Sequence, residues 1–232
     1  MKKNILKIAN LIGSKFGYKF VKENEVSDFY LYEYNSYEEY KDTQIFHNNR
    51  KINSVFADET TLKNISEIIH KRFNKDKILG LCHGSRNGFE QNYLNTISDK
   101  INSIGTDISD TANKFDNSIH WDFHDEKEDW INNFDFIYTN SLDQSWNPKL
   151  ALTTWLNKIN DDGILIIEHT VYHGPEYASE MDPFGVKPAV MPYVLTEWFG
   201  DQINISHTKN KKDNMNVDAF LFVISKNNRI IS

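Results

Sequence analysis

The sequence predicts an α/β fold in which a doubly wound, mostly parallel, seven-stranded sheet ends in an antiparallel C-terminal hairpin. From residue 77 onward, short apolar runs alternate with segments whose apolar residues recur at helical spacing. The last two apolar runs, 202–208 and 218–226, are joined only by the polar stretch KNKKDNMN. A parallel crossover needs about a dozen residues or more, so these two strands must be antiparallel.

Five further apolar runs define the parallel part of the sheet. The first, KILGLC at 77–82, is continuously apolar after its lysine, as expected for a strand buried on both faces. The next four are SIGTDIS (103–109), SIHWDF (118–123), FDFIYTN (134–140) and ILIIEH (164–169). Asn147 followed by Pro148 predicts the start of the helix before the last of these strands.

Residues 1–74 differ from the remainder, and we predict that they form a helical extension over the α/β domain of residues 75–232. The spacing of Ile5, Ile8, Ile12 and Phe16 predicts an amphipathic helix. A second helical stripe covers 61–73, with Thr60 or Thr61 as its cap. Between them lies the aromatic and charged stretch FYLYEYNSYEEYKD.

The charge balance limits the partners of the protein. Its 26 basic and 33 acidic residues give a net charge of −7, whereas nucleic-acid backbones require clustered Lys and Arg. The short basic clusters at 70–77 and 209–212 are predicted to be solvated helix-end and loop charges. Cys82 is the single cysteine, which excludes an internal disulfide and fits a reducing compartment. Without a recognisable leader or a run of about 20 apolar residues, we expect a cytoplasmic protein that binds neither nucleic acid nor membrane.

Small and polar residues follow the first predicted strand in the stretch LCHGSRNG (81–88). Its spacing matches neither a phosphate-binding loop nor the dinucleotide fingerprint. Asp107 ends the second strand, where a carboxylate can accept the hydroxyl hydrogens of a ribose or can cap the next helix. Asp122 ends the third strand and is either a ligand-binding group or one more residue of the acidic stretch DFHDEKED.

Taken in order, these features resemble those of the class I S-adenosylmethionine-dependent methyltransferases over residues 75–226. The resemblance implies this seven-stranded fold, S-adenosyl-L-methionine as cofactor and a set of cofactor-binding residues along the strand ends. That set is Cys82, His83, Gly84, Ser85, Arg86, Gly88, Asp107, Ile108, Asp122, Phe123, Asn140 and Ser141. The chain departs from the family pattern at Gly80 and Cys82, where an acidic residue and a glycine are usual, and Arg86 is a candidate for the cofactor carboxylate.

An acceptor proton must also be removed if the methyl group goes to oxygen, so a base is expected near the ends of strands four and five. The candidates are His169, Asp143 and His173, although each histidine fits an ordinary structural role equally well. His83, His124 and His169 with Asp143 lack the spacing of a metal site, so no metal is predicted.

The stretch 170–194 is long and aromatic, and it is predicted to be a loop that shapes the acceptor pocket together with the N-terminal helices. Glu176, Glu180 and Asp182 make it acidic, which disfavours a phosphate-rich acceptor. We therefore expect a methyltransferase that acts at oxygen on a small molecule or glycan. Two alternatives stay open: a methyltransferase-like binding module without catalysis, and an NAD-dependent oxidoreductase on a Rossmann domain.

Overall fold

The computed structural model describes residues 2–18, 20–21 and 27–227. The strands are β1 (Phe29–Leu31), β2 (Ile78–His83), β3 (Ile101–Asp107), β4 (Ser118–His120), β5 (Phe134–Thr139), β6 (Ile159–Thr170), β7 (Phe184–Val186), β8 (Ile203–Lys212) and β9 (Val217–Lys226). The α-helices are α1 (Lys2–Gly13), α2 (Tyr37–Arg50), α3 (Glu59–Arg72), α4 (Phe89–Ile97), α5 (Pro148–Lys158) and α6 (Met191–Phe199).

The central sheet has seven strands in the order β4-β3-β2-β5-β6-β9-β8. The first five are mutually parallel, whereas β9 is antiparallel to β6 and β8 is antiparallel to β9. This arrangement confirms the predicted doubly wound sheet with its terminal hairpin. Two predicted bounds are wrong: β4 stops at His120, and β8 continues through the supposedly loop-forming KNKK cluster to Lys212.

Apolar side chains fill both faces of this sheet. On one face, Leu62, Ile65 and Ile69 of α3 and Leu94 of α4 pack against Phe136. The other face is covered by α5 and α6, whose buried members include Leu152, Trp155 and Leu195. The helical stripes read from the sequence therefore bury their apolar sides where the doubly wound fold requires them. Among the residues described, no helix has the length and apolar character needed to cross a membrane.

The N-terminal extension is tied to the segment after β6 by a small second sheet. Strand β1 pairs antiparallel with β7, with Phe29 opposite Val186 and Leu31 opposite Phe184. The extension is therefore not purely helical, and the stretch 170–194 is not a plain loop, because it contains β7 and the start of α6. These two corrections place a strand-anchored cover over the carboxyl edge of the main sheet.

Helices α2, α3 and α5 start with side-chain caps. Asn147 accepts a hydrogen bond from the Leu150 amide, and Pro148 opens α5, as predicted. For α3 the predicted cap is wrong. The N-cap is Asp58 rather than Thr60 or Thr61, and its side chain accepts a hydrogen bond from the Thr61 amide at 2.8 Å. Asp58 lies two residues before Thr60, and its carboxylate also complements the positive end of the helix dipole.

Candidate active site

The loop between β2 and α4 brings its backbone close to the next strand end. Gly84 has φ of +71°, and a Cβ atom placed on it would lie 2.5 Å from the Ser141 Cβ. Arg86 also has a positive φ, +43°, which is uncommon for a residue with a side chain. The loop is fixed because the Ser85 amide donates to the Thr106 carbonyl and the Gly88 amide to the Ser85 carbonyl.

Asp107 lies at the carboxyl end of β3 and is 6% exposed. Its Oδ1 accepts hydrogen bonds from the Ser109 amide and the Asn48 side chain, and its Oδ2 accepts one from the Arg86 amide. Burial raises the pKa of Asp107 despite the opposing effect of these donors. A carboxylate offers about four acceptor positions, so Oδ2 can still receive a further donor.

Asp122 follows β4 and is held by two aromatic side chains. Tyr37 of α2 donates to its Oδ2 at 2.7 Å, and His124 lies 2.7 Å from its Oδ1 through Nδ1. Burial alone would raise the pKa of Asp122, but the hydrogen bond and charge of His124 lower it below its usual value. Asp122 is therefore an ionised carboxylate at neutral pH.

A narrow cavity lies between these two carboxylates and α2. Helix α2 covers it with side chains that approach from the N-terminal extension. The lining residues are Tyr40, Gln44, His47, Asn48, Lys51, Gly84, Arg86, Asp107, Ile108, Asp122, Phe123, Gln144 and Met181.

A second, larger cavity adjoins the first and shares Lys51, Gly84, Arg86 and Gln144 with it. It extends past the ends of β5 and β6 toward the C-terminal hairpin. Its other lining residues are Ser54, Phe56, Ser85, Asn87, Glu90, Asn140, Ser141, Asp143, Glu168, Thr170, Tyr172, His173, Asp182, Lys212 and Met215. The two cavities form one continuous cleft along the carboxyl edge of the sheet, where ligands bind in open α/β folds.

Asp143 is the most perturbed acid of the second cavity. Burial raises its pKa to about 7, and its Oδ1 has no hydrogen-bond partner among the described residues. His173 lies 3.7 Å from its Oδ2, and burial lowers the pKa of that histidine to about 4. Asp182, from the segment before β7, has its pKa raised to about 6 by burial.

A buried ion pair forms the wall of the second cavity near the hairpin. Lys212, 3% exposed, donates to Glu168 Oε1 and to the Phe56 carbonyl and lies 3.9 Å from Asp58. The Tyr138 hydroxyl donates to Glu168 Oε2 at 2.6 Å. Both oxygens of Glu168 are thereby engaged by partners inside the protein.

The cleft brings together most of the residues predicted from the sequence. Those that line it are Gly84, Ser85, Arg86, Asp107, Ile108, Asp122, Phe123, Asn140, Ser141, Asp143 and His173. Four others lie elsewhere. Cys82 is buried in the core with α3 and α4, and His83 stacks on Trp155 while its Nδ1 pairs with Thr106. Gly88, at φ of +78°, starts α4 outside the cleft.

His169 is the fourth predicted residue outside the cleft, and its geometry argues against a role as base. Its Nε2 lies 2.8 Å from the Val186 carbonyl, so that nitrogen carries the proton of a buried hydrogen bond. Burial also lowers the pKa of His169 to about 3. The residue instead fixes β7 to β6 and thereby supports the cover of the site.

The sequence predicted that the N-terminal helices help to shape the acceptor pocket, but it identified none of the α2 residues that contact the two carboxylates. Tyr40 is 1% exposed and packs against Trp146 and His124, and Asn48 and Lys51 line the cleft. The aromatic stretch at 29–42 was the visible indication, but nothing local connects it to acids 59 and 85 residues away. Within the described ranges, no group of three or more His, Cys, Asp or Glu is placed to hold a metal ion.

Comparison with solved structures gives the class of the fold. A Burkholderia thailandensis 1,6-didemethyltoxoflavin-N1-methyltransferase, solved with 1,6-didemethyltoxoflavin and S-adenosylhomocysteine, matches with a TM-score of 0.63 at 11% identity. The match covers 84% of this chain and 92% of that one. The chain therefore has the class I S-adenosylmethionine-dependent methyltransferase fold.

Two further structures of this class match over similar lengths. The plantazolicin methyltransferase BpumL, in complex with a triazolic desmethylPZN analog and SAH, has a TM-score of 0.60 at 14% identity and covers 82% of this chain and 98% of its own. Magnesium protoporphyrin IX methyltransferase from Synechocystis PCC 6803, with bound SAM, has a TM-score of 0.54 at 12% identity, covering 84% and 100%. No protein-family model matches the chain, and no curated protein matches its sequence.

Proposed function

We propose that the protein is an S-adenosylmethionine-dependent methyltransferase that acts on a small molecule at oxygen. The observation that carries this proposal is the continuous cleft. Two carboxylates, Asp107 and Asp122, lie at one end of it, and Asp143, whose pKa is raised and whose Oδ1 has no hydrogen-bond partner among the described residues, lies at the other. Structural neighbours that methylate natural products support a small-molecule acceptor. The glycan acceptor stays a prediction without a structural observation in its favour.

The residues of the first cavity fit the adenosine part of the cofactor. Asp107 keeps room on Oδ2 for a ribose hydroxyl, and Gly84 leaves no Cβ between the loop and Ser141. Ile108 and Phe123 supply apolar surface beside Asp122 for the base. When bound, the cofactor supplies a methyl group on a sulfonium centre, and the chain must orient the acceptor toward it and exclude water.

Asp143 is the proposed proton acceptor. A carboxyl group with a pKa of about 7 can take a proton from an acceptor hydroxyl near neutral pH, and its Oδ1 is free to do so. His173 is neutral at this pH and lies close enough to orient the same hydroxyl. The bond of His169 to the Val186 carbonyl argues against this role for His169.

Replacing Asp107 tests the cofactor assignment. We expect Asp107→Asn to weaken S-adenosylhomocysteine binding about 10- to 100-fold, because a charged acceptor of ribose hydroxyls is lost. Isothermal titration calorimetry measures the change directly. The exposed Asp110, three residues away, provides the matched control, and Asp110→Asn should bind as the wild type does.

Calorimetry also separates the alternatives. No heat with S-adenosylhomocysteine, together with a thermal shift on adding NAD, would favour the oxidoreductase and contradict the proposal. Binding without methyl transfer to any small-molecule pool would favour a binding module.

A further inference from the structure

Glu90 is a buried acid that the roles assigned above leave unused. It is the second residue of α4, is 7% exposed and lines the second cavity beside Gly84, Ser85 and Arg86. Its Oε2 has no hydrogen-bond partner among the described residues. A buried carboxyl oxygen without a donor costs folding free energy, so a cavity-facing one indicates that a ligand supplies the donor.

Strand β2, which precedes the loop, carries no acidic residue that could accept a hydrogen bond from a ligand. Gly80 lies opposite Phe136 in the pairing of β2 with β5, and a Cβ placed on Gly80 would lie 2.1 Å from the Phe136 ring. The ring therefore fills the space that an acidic side chain would need. A carboxylate that binds a ligand beside the loop must therefore come from another helix or strand.

The other acids of the cavity already have partners or a proposed role. Glu168 is engaged on Oε1 by Lys212 and on Oε2 by Tyr138. Asp143 lies beside His173. The positive charge of Lys51 lowers the pKa of Asp143, and the charge of Asp143 raises the pKa of Asp182. Glu90 lies within electrostatic reach of Arg86 and Asp107, at the loop end of the cleft, and Arg86 also acts on Asp182.

Arg86 gives this end of the cleft an opposite charge. Its Nη1 donates to the Ser54 carbonyl at 3.3 Å, its guanidinium lies 5.0 Å from the Phe56 ring, and its Nε has no partner among the described residues. An unpartnered carboxyl oxygen and an unpartnered guanidinium N–H in the lining of one cavity match a ligand that carries one ammonium and one carboxylate group.

We propose that Glu90 binds the α-ammonium group of the cofactor's amino-acid end while Arg86 binds its carboxylate. This inference rests on the proposed function and assigns the acid that the first strand lacks. The acid is then supplied by the second position of the following helix rather than by the strand, after a loop in which Arg86 and Gly88 have positive φ.

Two ligands that differ only in the amino-acid end test the assignment. S-adenosylhomocysteine carries that end, whereas methylthioadenosine keeps the adenosine and the thioether but lacks it. In calorimetry, we expect Glu90→Gln to weaken S-adenosylhomocysteine about tenfold or more and methylthioadenosine less than about twofold. Glu67→Gln, at an exposed acid on the adjacent α3, should change neither affinity.

The outcomes are distinct. Equal weakening of both ligands, or no weakening of S-adenosylhomocysteine, would overturn the role of Glu90 while leaving cofactor binding intact. If the wild-type protein binds neither ligand, the proposed function itself fails and this assignment fails with it. Thermal melting checks that Glu90→Gln is folded, and because the change removes a buried charge without changing shape, we expect its melting temperature at pH 8 to be at least that of the wild type.

Discussion

Lys212→Met is expected to destabilise the protein by about 3–5 kcal/mol, because it leaves the Glu168 carboxylate buried without its cationic partner. Lys212 is 3% and Glu168 1% exposed, so the change falls on a largely desolvated carboxylate. The Phe56 carbonyl, which accepts from Lys212 at 2.7 Å, would lose a donor as well. For a domain of this size we expect the melting temperature to fall by roughly 10 °C, measured by circular dichroism.

The same hairpin provides the control. Lys209 pairs with Asp218 at 3.0 Å, but these side chains are 57% and 49% exposed, so Lys209→Met should cost less than about 1 kcal/mol. The double variant Lys212→Met with Glu168→Gln removes both charges and should regain most of the loss. Equal melting temperatures for Lys212→Met and Lys209→Met would show that the buried pair does not stabilise the fold.

The sheet could be predicted from the sequence because its information is local. Continuous apolar runs, helical stripes, and the Asn147–Pro148 start each depend on neighbouring residues, and the short link between the last two runs dictates their direction. The residues at the carboxyl ends of strands followed from the same reasoning, since parallel strands place those ends on one edge. This is why Gly84, Asp107, Asp122 and Asp143 lie in one cleft.

The predictions that failed concern residues whose positions are set by contacts distant in the sequence. Lys212 has the composition of a solvated cluster, KNKK, yet a partner 44 residues earlier in the chain draws it into the interior. His169 follows a strand just as a catalytic base would, but β7 brings the Val186 carbonyl onto its ring. Glu90 could not be distinguished in the sequence from any other polar residue of a helix. Only the pairing of Gly80 with Phe136 shows that β2 has no room for an acidic side chain at position 80.

The closure of α2 over the cleft follows from the same long-range contacts. Asn48 donates to Asp107, and Tyr37 donates to Asp122, so the N-terminal extension contacts both carboxylates proposed to bind the cofactor. A ligand entering the first cavity must therefore share or displace these donors. The β1–β7 pairing holds the extension near the site.

Asp143→Asn is expected to lower kcat for methyl transfer about 10²- to 10⁴-fold, the range for loss of a general base. The cofactor affinity should change less than about twofold, since Asp143 lies at the acceptor end of the cleft. In the wild type, kcat should rise with pH through the Asp143 pKa of about 7 and level off above it, and the variant should lose this dependence. Transfer of label from methyl-labelled S-adenosylmethionine to a low-molecular-weight extract measures the rate.

The pH dependence of folding stability tests the same residue and requires no methyl acceptor. The folded-state pKa of Asp143, about 7, lies above the unfolded value of 3.8, so its contribution to stability is fully present below the unfolded pKa and is lost as pH rises through about 7. Asp143→Asn cannot lose a proton, so its melting temperature relative to wild type should increase between pH 5 and pH 8. Asp110→Asn, at an exposed position, should follow the wild type throughout. A variant that tracks the wild type in both melting and kcat would contradict both the perturbed pKa and the role of Asp143 as base.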